Sequence, residues 1–258
     1  MSDACNQTPF WQRQPQLPKA IQDFLRTRAE AALLEPADRQ VLVWPTVLGA
    51  PRLRQNHPEG LPEALLLSLS ESLLRPLGIL DPGSAWEGHR KAWPDTAQGG
   101  PDGWLPHRSW GAWGPLVSLR MGWQLAALTP LPPDARYPLA CGVSLFNHGL
   151  YHECHDALEV LWATASGELK AQLQVLILMA GGYHHLQQAN LPGMLALWED
   201  AVERMHGGVP TLATPWGVVQ FGASLDLTAQ RLDHGKRMQD AADFAPLWAL
   251  DRPTWELS

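Results

Sequence analysis

A chain of 258 residues, 45% of them hydrophobic and 17% charged, can build one large domain or two small ones around a buried core. The formal net charge of −7, with no basic cluster to neutralise phosphates, argues against a nucleic-acid partner. No uninterrupted apolar run of about 18 residues occurs, so a membrane span is not expected.

The opening MSDACNQTPFWQRQPQ lacks the basic-then-apolar pattern of a secretory signal. Three cysteines, Cys5, Cys141 and Cys154, form no C-x-x-C motif and are an odd number. Reduced thiols in a cytoplasmic protein are the economical expectation.

In chain order, Pro18 in the first turn and Ile21, Phe24, Leu25, Ala29 and Ala32 at helical spacing predict a helix over 17–34. Residues 40–48 carry a short β-branched core that could be a strand, although Pro45 would confine it to a sheet edge. Leu65, Leu66, Leu69 and Leu73 predict a helix over 62–74. From 81 to 115 the character changes: Trp86, Trp93, Trp104, Trp110 and Trp113 stand among Gly, Pro, Asp and His. This stretch reads as a long loop packed by its tryptophans, which either wraps the fold or walls a pocket.

Beyond Pro115 the pattern is helical: 116–128, then Pro132-Pro133 to about Asn147, where His148-Gly149 stops the helix. Further helices are predicted over 151–164, from Gly167 to about Asn190, and from Pro192 to about His206. The long helix is apolar nearly all round and so should be central, with Gly181-Gly182 permitting close approach of a neighbour. After a Gly-Gly-Val-Pro break, Trp216-Gly217 is expected to lead into a last helix ending near Leu232, with a docking tail carrying Trp248 and Trp255. The chain then divides into 1–130, a helical and irregular Trp-rich and Pro-rich elaboration, a helical bundle over 131–240, and the tail 241–258. The fold class is all-α.

The segment from Phe146 to Trp162 is the densest in ionisable groups. On a helix at 100° per residue, His152, His155 and Glu159 fall within a stripe of roughly 60°. Leu158, Leu161 and Trp162 border the stripe and turn its polar groups at least partly inward, where they need partners. A short connection makes the next helix antiparallel, which brings His184 or His185 opposite His152 and His155. Imidazoles with one carboxylate suit zinc, iron or manganese. The alternative is a His/Glu pair that only fixes helix packing. The spacing H-x-x-H-x-x-x-E is not H-E-x-x-H. Asp156 either joins the His152 side or is solvated, and Cys154 belongs to the core. Ser144 and Ser166 lack a nucleophile elbow, and no glycine-rich phosphate loop precedes a helix.

Phe146-Asn147, Gly149, Tyr151, Glu153, His155, Leu158, Glu159 and Trp162 fit F-N-x-G-x-[YF]-x-E-x-H-x-x-L-E-x-x-W. With Gly167, Leu173-Gln174, Ala180, His184 or His185, and Asn190, they resemble the bacterial and archaeal family called domain of unknown function 309, over roughly residues 135–235. The resemblance implies an all-α bundle, sometimes labelled a predicted metal-dependent hydrolase. By position it carries over His155, Glu159 and Trp162, together with Glu153 and Gln174. The family position at His152 is usually aromatic, and the doublet leaves open which imidazole fills its histidine position.

These residues support two functional expectations. In the first, His155, Glu159 and a histidine of the 184/185 pair, with His152 beside them, bind a divalent ion that activates water, and Glu153 is the spare carboxylate for a base. Trp162, Gln174, Tyr151 and Asn147 are then structural or pocket residues. In the second, the His/Glu pair is structural and exposed tryptophans bind an unknown small molecule or protein. Neither expects nucleic acid or membrane as a partner.

Overall fold

The computed structural model describes residues 39–40, 42–48, 50–57, 61–92, 104–105, 114–131, 137–206, 208, 210–238 and 243–258. The protein is mostly helical, as the periodicity predicts. Among the described residues, no helix is long and apolar enough to cross a membrane. The helix expected over 17–34, and Trp93, Trp110 and Trp113, lie outside the described residues. The chain forms two compact units that divide after Pro130.

In the unit before that division lie α1 (Val43–Leu48), α2 (Pro51–Asn56), α3 (Glu63–Leu74), α4 (Pro82–Ala92) and α5 (Gly114–Leu128), with a short ladder beside α3. That ladder pairs β1 (Leu61–Pro62) with β2 (Trp104–Leu105). The expected edge strand at 40–48 is instead a 3-10 turn running into α1. Pro45 falls in the first helical turn, where its missing N–H would have had no intrahelical partner, so it is compatible with a helix there. Part of the expected loop over 81–115 is also helical, in α4. The wholly buried Trp86 packs its ring 5.0 Å from that of Trp44.

The unit from Leu131 onward carries the motif. It runs α6 (Tyr137–Asn147), α7 (Tyr151–Thr164), α8 (Gly167–Gln187), α9 (Leu191–Arg204), β3 (Thr211–Thr214), β4 (Gly217–Gln220), α10 (Gly222–Lys236), the short α11 (Ala245–Trp248) and β5 (Glu256–Leu257). Every residue from Val175 to Tyr183 is buried, because α7 packs on one side of α8 and α9 on another. A Cβ on Gly182 would overlap the Trp198 indole, and one on Gly181 would lie 2.9 Å from Leu197 Cδ1. The glycine pair therefore costs helix propensity, about 1 kcal/mol per residue, in exchange for seating α9 against α8.

Gly149 ends α6 in the left-handed region with φ 75°. Leu150 N–H donates to Leu145 O, and Gly149 N–H to Phe146 O. This closing pattern reverses the chain within three residues and starts α7 antiparallel to α6.

The helix expected after Trp216 begins later than the sequence implies. Thr211–Thr214 and Gly217–Gln220 pair antiparallel as a hairpin, with Val219 and Gln220 then pairing Leu257 and Glu256 of the tail. Gly217 has φ 140°, beyond what L side chains readily adopt. A turn there is therefore favoured over helix initiation.

The tail is built into the unit. Asn147 Nδ2–H donates to Trp255 O and Trp255 N–H donates to Asn147 Oδ1, both at 2.8 Å. The Trp255 ring lies flat on Phe146 at 3.7 Å. Arg231, 1% exposed, donates to the carbonyls of Leu247, Leu250 and Asp251. Its charge is thus satisfied by the chain segment that it holds. Asn147→Ala removes one side of two hydrogen bonds and leaves the Trp255 peptide groups to be rehydrated. Each such loss costs about 1–3 kcal/mol, so the expected outcome is a lowered urea midpoint and faster amide exchange at 255–257.

Candidate metal centre

Helix α7 places His152, His155, Asp156 and Glu159 at i, i+3, i+4 and i+7, an arc of about 100° on one face. Asp156 Oδ1 is 3.2 Å from His155 Nδ1 and 3.5 Å from His152 Nδ1. His155 Nε2 is 3.8 Å from Glu159 Oε1. One ligand atom each from His155, Asp156 and Glu159 lie within 4.8 Å of one another, the geometry of a group that can hold a metal ion.

The roles of the two imidazole nitrogens of His155 are set by its partners. A carboxylate only accepts, so the Nδ1–H of His155 donates to Asp156 and the free lone pair of the neutral ring is on Nε2. That lone pair is beside the Glu159 carboxylate at a distance too long for a hydrogen bond. Two electron-rich atoms in that relation are stabilised by a cation between them, a proton on Nε2 or a metal ion. Bonds of about 2.1 Å from one ion reach atoms up to about 4.2 Å apart, so His155 Nε2 and Glu159 Oε1 can share an ion. Glu159 is 55% exposed and His155 31%, which leaves a route from solvent.

Burial taken by itself lowers the proton affinity of His155. The hydrogen bond to Asp156 and the charges of Glu159 and Asp156 outweigh it, so its pKa lies above the ordinary imidazole value.

Helix α8 supplies the facing wall. A Cβ on Gly181 would lie 3.6 Å from His155 Cδ2, so the His155 ring rests against the bare backbone at that position. His184 lies against His152 with ring centroids 4.8 Å apart and the rings tilted by 32°. His185, one turn beyond Gly181 on the same stripe, has its pKa lowered by burial and then by the charge of nearby His155. Both members of the doublet therefore border the α7 cluster, His184 beside His152 and His185 beside His155.

The other expected residues lie elsewhere in the unit. Glu153 is 4% exposed and projects about 160° around α7 from His155, so the expected base is not part of the cluster. The additional carboxylate is Asp156, which the helical wheel left between the His152 side and solvent. Its i+4 relation to His152 was the signal that could have found it. Gln174 lies seven residues, about two turns, from Gly181 on α8 and is not brought to the cluster. Trp162 is half-buried with the Lys170 ammonium 4.0 Å above its ring. Tyr151 is buried against Phe146 and Tyr183, with centroids 5.1 and 5.0 Å away. Burial and then the neighbouring Tyr183 hold its hydroxyl protonated. Asn147 clamps the tail. Burial, then the charge of Glu153, push the Cys154 thiol well up, which disfavours the thiolate that metal binding or nucleophilic attack requires.

Residues 139–197 match the model of a family described as Domain of unknown function (DUF309). The matched span runs from within α6 to within α9. It contains His152, His155, Asp156, Glu159, His184 and His185, and it excludes the hairpin, α10 and the tail. The match is shorter than the resemblance drawn from the motif over 135–235. No curated protein and no solved structure matches the chain.

The proton on His155 has a consequence for stability. Because the folded-state pKa is raised, the interaction stabilises the fold fully below the unfolded value of about 6.5. It is lost as pH rises through the higher folded value. In chelator-treated protein, the stability difference between wild type and His155→Gln should be larger at pH 5.5 than at pH 9 in parallel urea titrations. An equal difference at both would mean that the carboxylates do not hold that proton.

Proposed function

From a segment that carries the DUF309 family match, we propose that the α7–α8 face binds a divalent first-row ion and performs hydrolase-like chemistry there. The observation that supports this most is the unbridged 3.8 Å approach of His155 Nε2 to Glu159 Oε1, with the other ring nitrogen already held by Asp156. A carboxylate behind a ligating histidine is the usual second partner of such a ligand, fixing its tautomer and raising its basicity. His155 and Glu159 would hold the ion, and Asp156 would orient His155. The paired His152 and His184 stand at the margin as further nitrogen donors. Zinc, iron and manganese all accept such an N/O set.

When bound, the ion would lower the pKa of a coordinated water and supply a nucleophile near neutral pH. The chain's own residues do the rest. Gly181 leaves room for the His155 ring, Asp156 keeps Nε2 as the exposed lone pair, and partly exposed Glu159 admits a small-molecule substrate from solvent.

A second reading has its own support. Protonated His155 between Asp156 and Glu159 is a compensated group that needs no ion, and the raised proton affinity favours it. The face is then a packing element of a non-catalytic helical module that binds a small molecule or a protein.

Elemental analysis of the purified full chain separates the two. Near-stoichiometric zinc, iron or manganese that falls to background in His155→Ala and Glu159→Gln is expected. If the wild type takes up no ion even when dialysed against each metal, and His155→Ala instead costs about 1–3 kcal/mol through its orphaned carboxylates, the structural reading replaces the metal one.

A further inference from the structure

Helix α8 ends with a backbone reversal that places a side chain from the next turn against His185. Asn190 N–H donates to His185 O at 2.9 Å, and Ala189 N–H to Leu186 O at 3.0 Å, with Ala189 at φ 54°. A left-handed alanine costs about 1–2 kcal/mol, so the reversal needs support from its neighbours. Asn190 provides it as the N-cap of α9, its Oδ1 accepting from Gly193 N–H at 3.2 Å.

That cap decides the chemistry of His185. A backbone N–H can only donate, so the oxygen of the Asn190 amide must face Gly193 and the NH2 must face the other way. The other way is His185 Nδ1, 3.0 Å from Asn190 Nδ2. An amide NH2 cannot accept, so Nδ1 must be the accepting nitrogen, and the single proton of the neutral ring is on Nε2. Gly193 makes the contact sterically available. A Cβ there would lie 2.8 Å from both His185 Nδ1 and Asn190 Nδ2.

We propose that Asn190 locks His185 in its Nε2–H form, so that beside the α7 cluster His185 is a hydrogen-bond donor to an oxygen acceptor and not a ligand of the ion. This rests on the metal reading for its role, although the lock itself does not. Within the doublet, nitrogen ligation then falls to His184, whose ring lies 4.8 Å from that of His152. His185 is a positioning residue for an oxygen-bearing ligand held next to His155. A carbonyl, carboxylate or ion-bound water fits a neutral N–H donor of this kind, whereas an amine or another cation does not.

Asn190→Asp is the discriminating variant. Aspartate caps a helix as well as asparagine, so Gly193 N–H keeps its acceptor and the fold is retained. The carboxylate can only accept from Nδ1, which moves the ring proton to Nδ1 and exposes the Nε2 lone pair.

Long-range proton–nitrogen correlation spectra of the chelator-treated, nitrogen-15-labelled full chain at pH 8 should show His185 with Nε2 protonated in wild type. Nδ1 should be protonated in Asn190→Asp. Zinc titration should then show His185→Ala changing the wild-type dissociation constant by less than about tenfold, the lower end for loss of a ligand's supporting partner. Asn190→Asp should bind zinc about tenfold more tightly, and this gain should vanish in the double variant with His185→Ala. A wild-type His185 already protonated on Nδ1 overturns the lock, and so does a His185→Ala loss of a hundredfold or more. Should zinc fail to bind any of these proteins, the metal reading falls and takes the role of His185 at an ion with it. The nitrogen spectra still decide the tautomer.

Discussion

The seating of α9 on α8 across Gly181 and Gly182 is the constraint on which the C-terminal unit depends. Trp198 occupies the space a side chain at 182 would need, with its Nε1–H donating to Met179 O at 3.3 Å, and Leu197 covers 181. Any larger residue would push α9 outward, at the cost of an overpacked core. The same bare backbone lets the His155 ring approach α8 from the α7 side. One dipeptide therefore sets both the helix packing and the depth at which the histidine sits. That coupling explains how a polar cluster can lie against the most buried helix of the unit while part of it stays within reach of solvent. The cluster occupies the rim of the α7–α8 contact, where Glu159 remains open to water.

A second layer of constraint comes from the tail. Its residues are far from the cluster in sequence, yet Trp255 lies on Phe146, Phe146 meets Tyr151 edge-on, and Tyr151 packs on Tyr183. Arg231 and Thr228 hold the Tyr183 hydroxyl from the α10 side. Aromatic contacts of this geometry each add roughly 0.5–1.5 kcal/mol beyond area burial. They fix the start of α7 and the C-terminal end of α8 relative to each other. The hydrogen-bonded ring of partners around Arg231 explains why a buried guanidinium is tolerated: its N–H groups meet main-chain carbonyls that the tail would otherwise leave unsatisfied.

The helical part of this arrangement was legible because punctuation and period agreed. Gly149 and Pro192 mark ends that the structure places within a residue or two, and α8 read as central because its apolar residues run all round the helix. The hairpin at 211–220 was not read, since two four-residue strands with Pro215-Trp216 between them resemble a loop leading into a helix. Only the φ of Gly217 and the pairing of β4 with the distant β5 make it a sheet. At the site, the wheel identified His152, His155 and Glu159. It treats side chains as radial spokes, however, and so left Asp156 undecided, although a short carboxylate can reach histidines both one position and one turn behind it. Glu153 attracted attention through the motif, but a motif letter does not carry a direction, and its direction is inward. The partnership of Asn190 with His185 was beyond reach, because it depends on Ala189 adopting a left-handed conformation that nothing in its side chain favours.

In the proposed centre, a proton and a divalent ion would compete for the same lone pair of His155. Asp156 and Glu159 raise the affinity of His155 for a proton, and the same field would favour a divalent ion at its Nε2. Which one occupied the gap would then be a matter of pH and ion concentration, since metal binding would have to release the proton. Burial, and then the repulsion of a second positive charge by His155, lowers the proton affinity of His185. A neutral ring can donate a hydrogen bond at one nitrogen and accept at the other, which an imidazolium cannot. In the proposed centre the two helices would divide the work by charge: α7 gathers the carboxylates that would attract a cation, and α8 brings His185, held neutral, beside them.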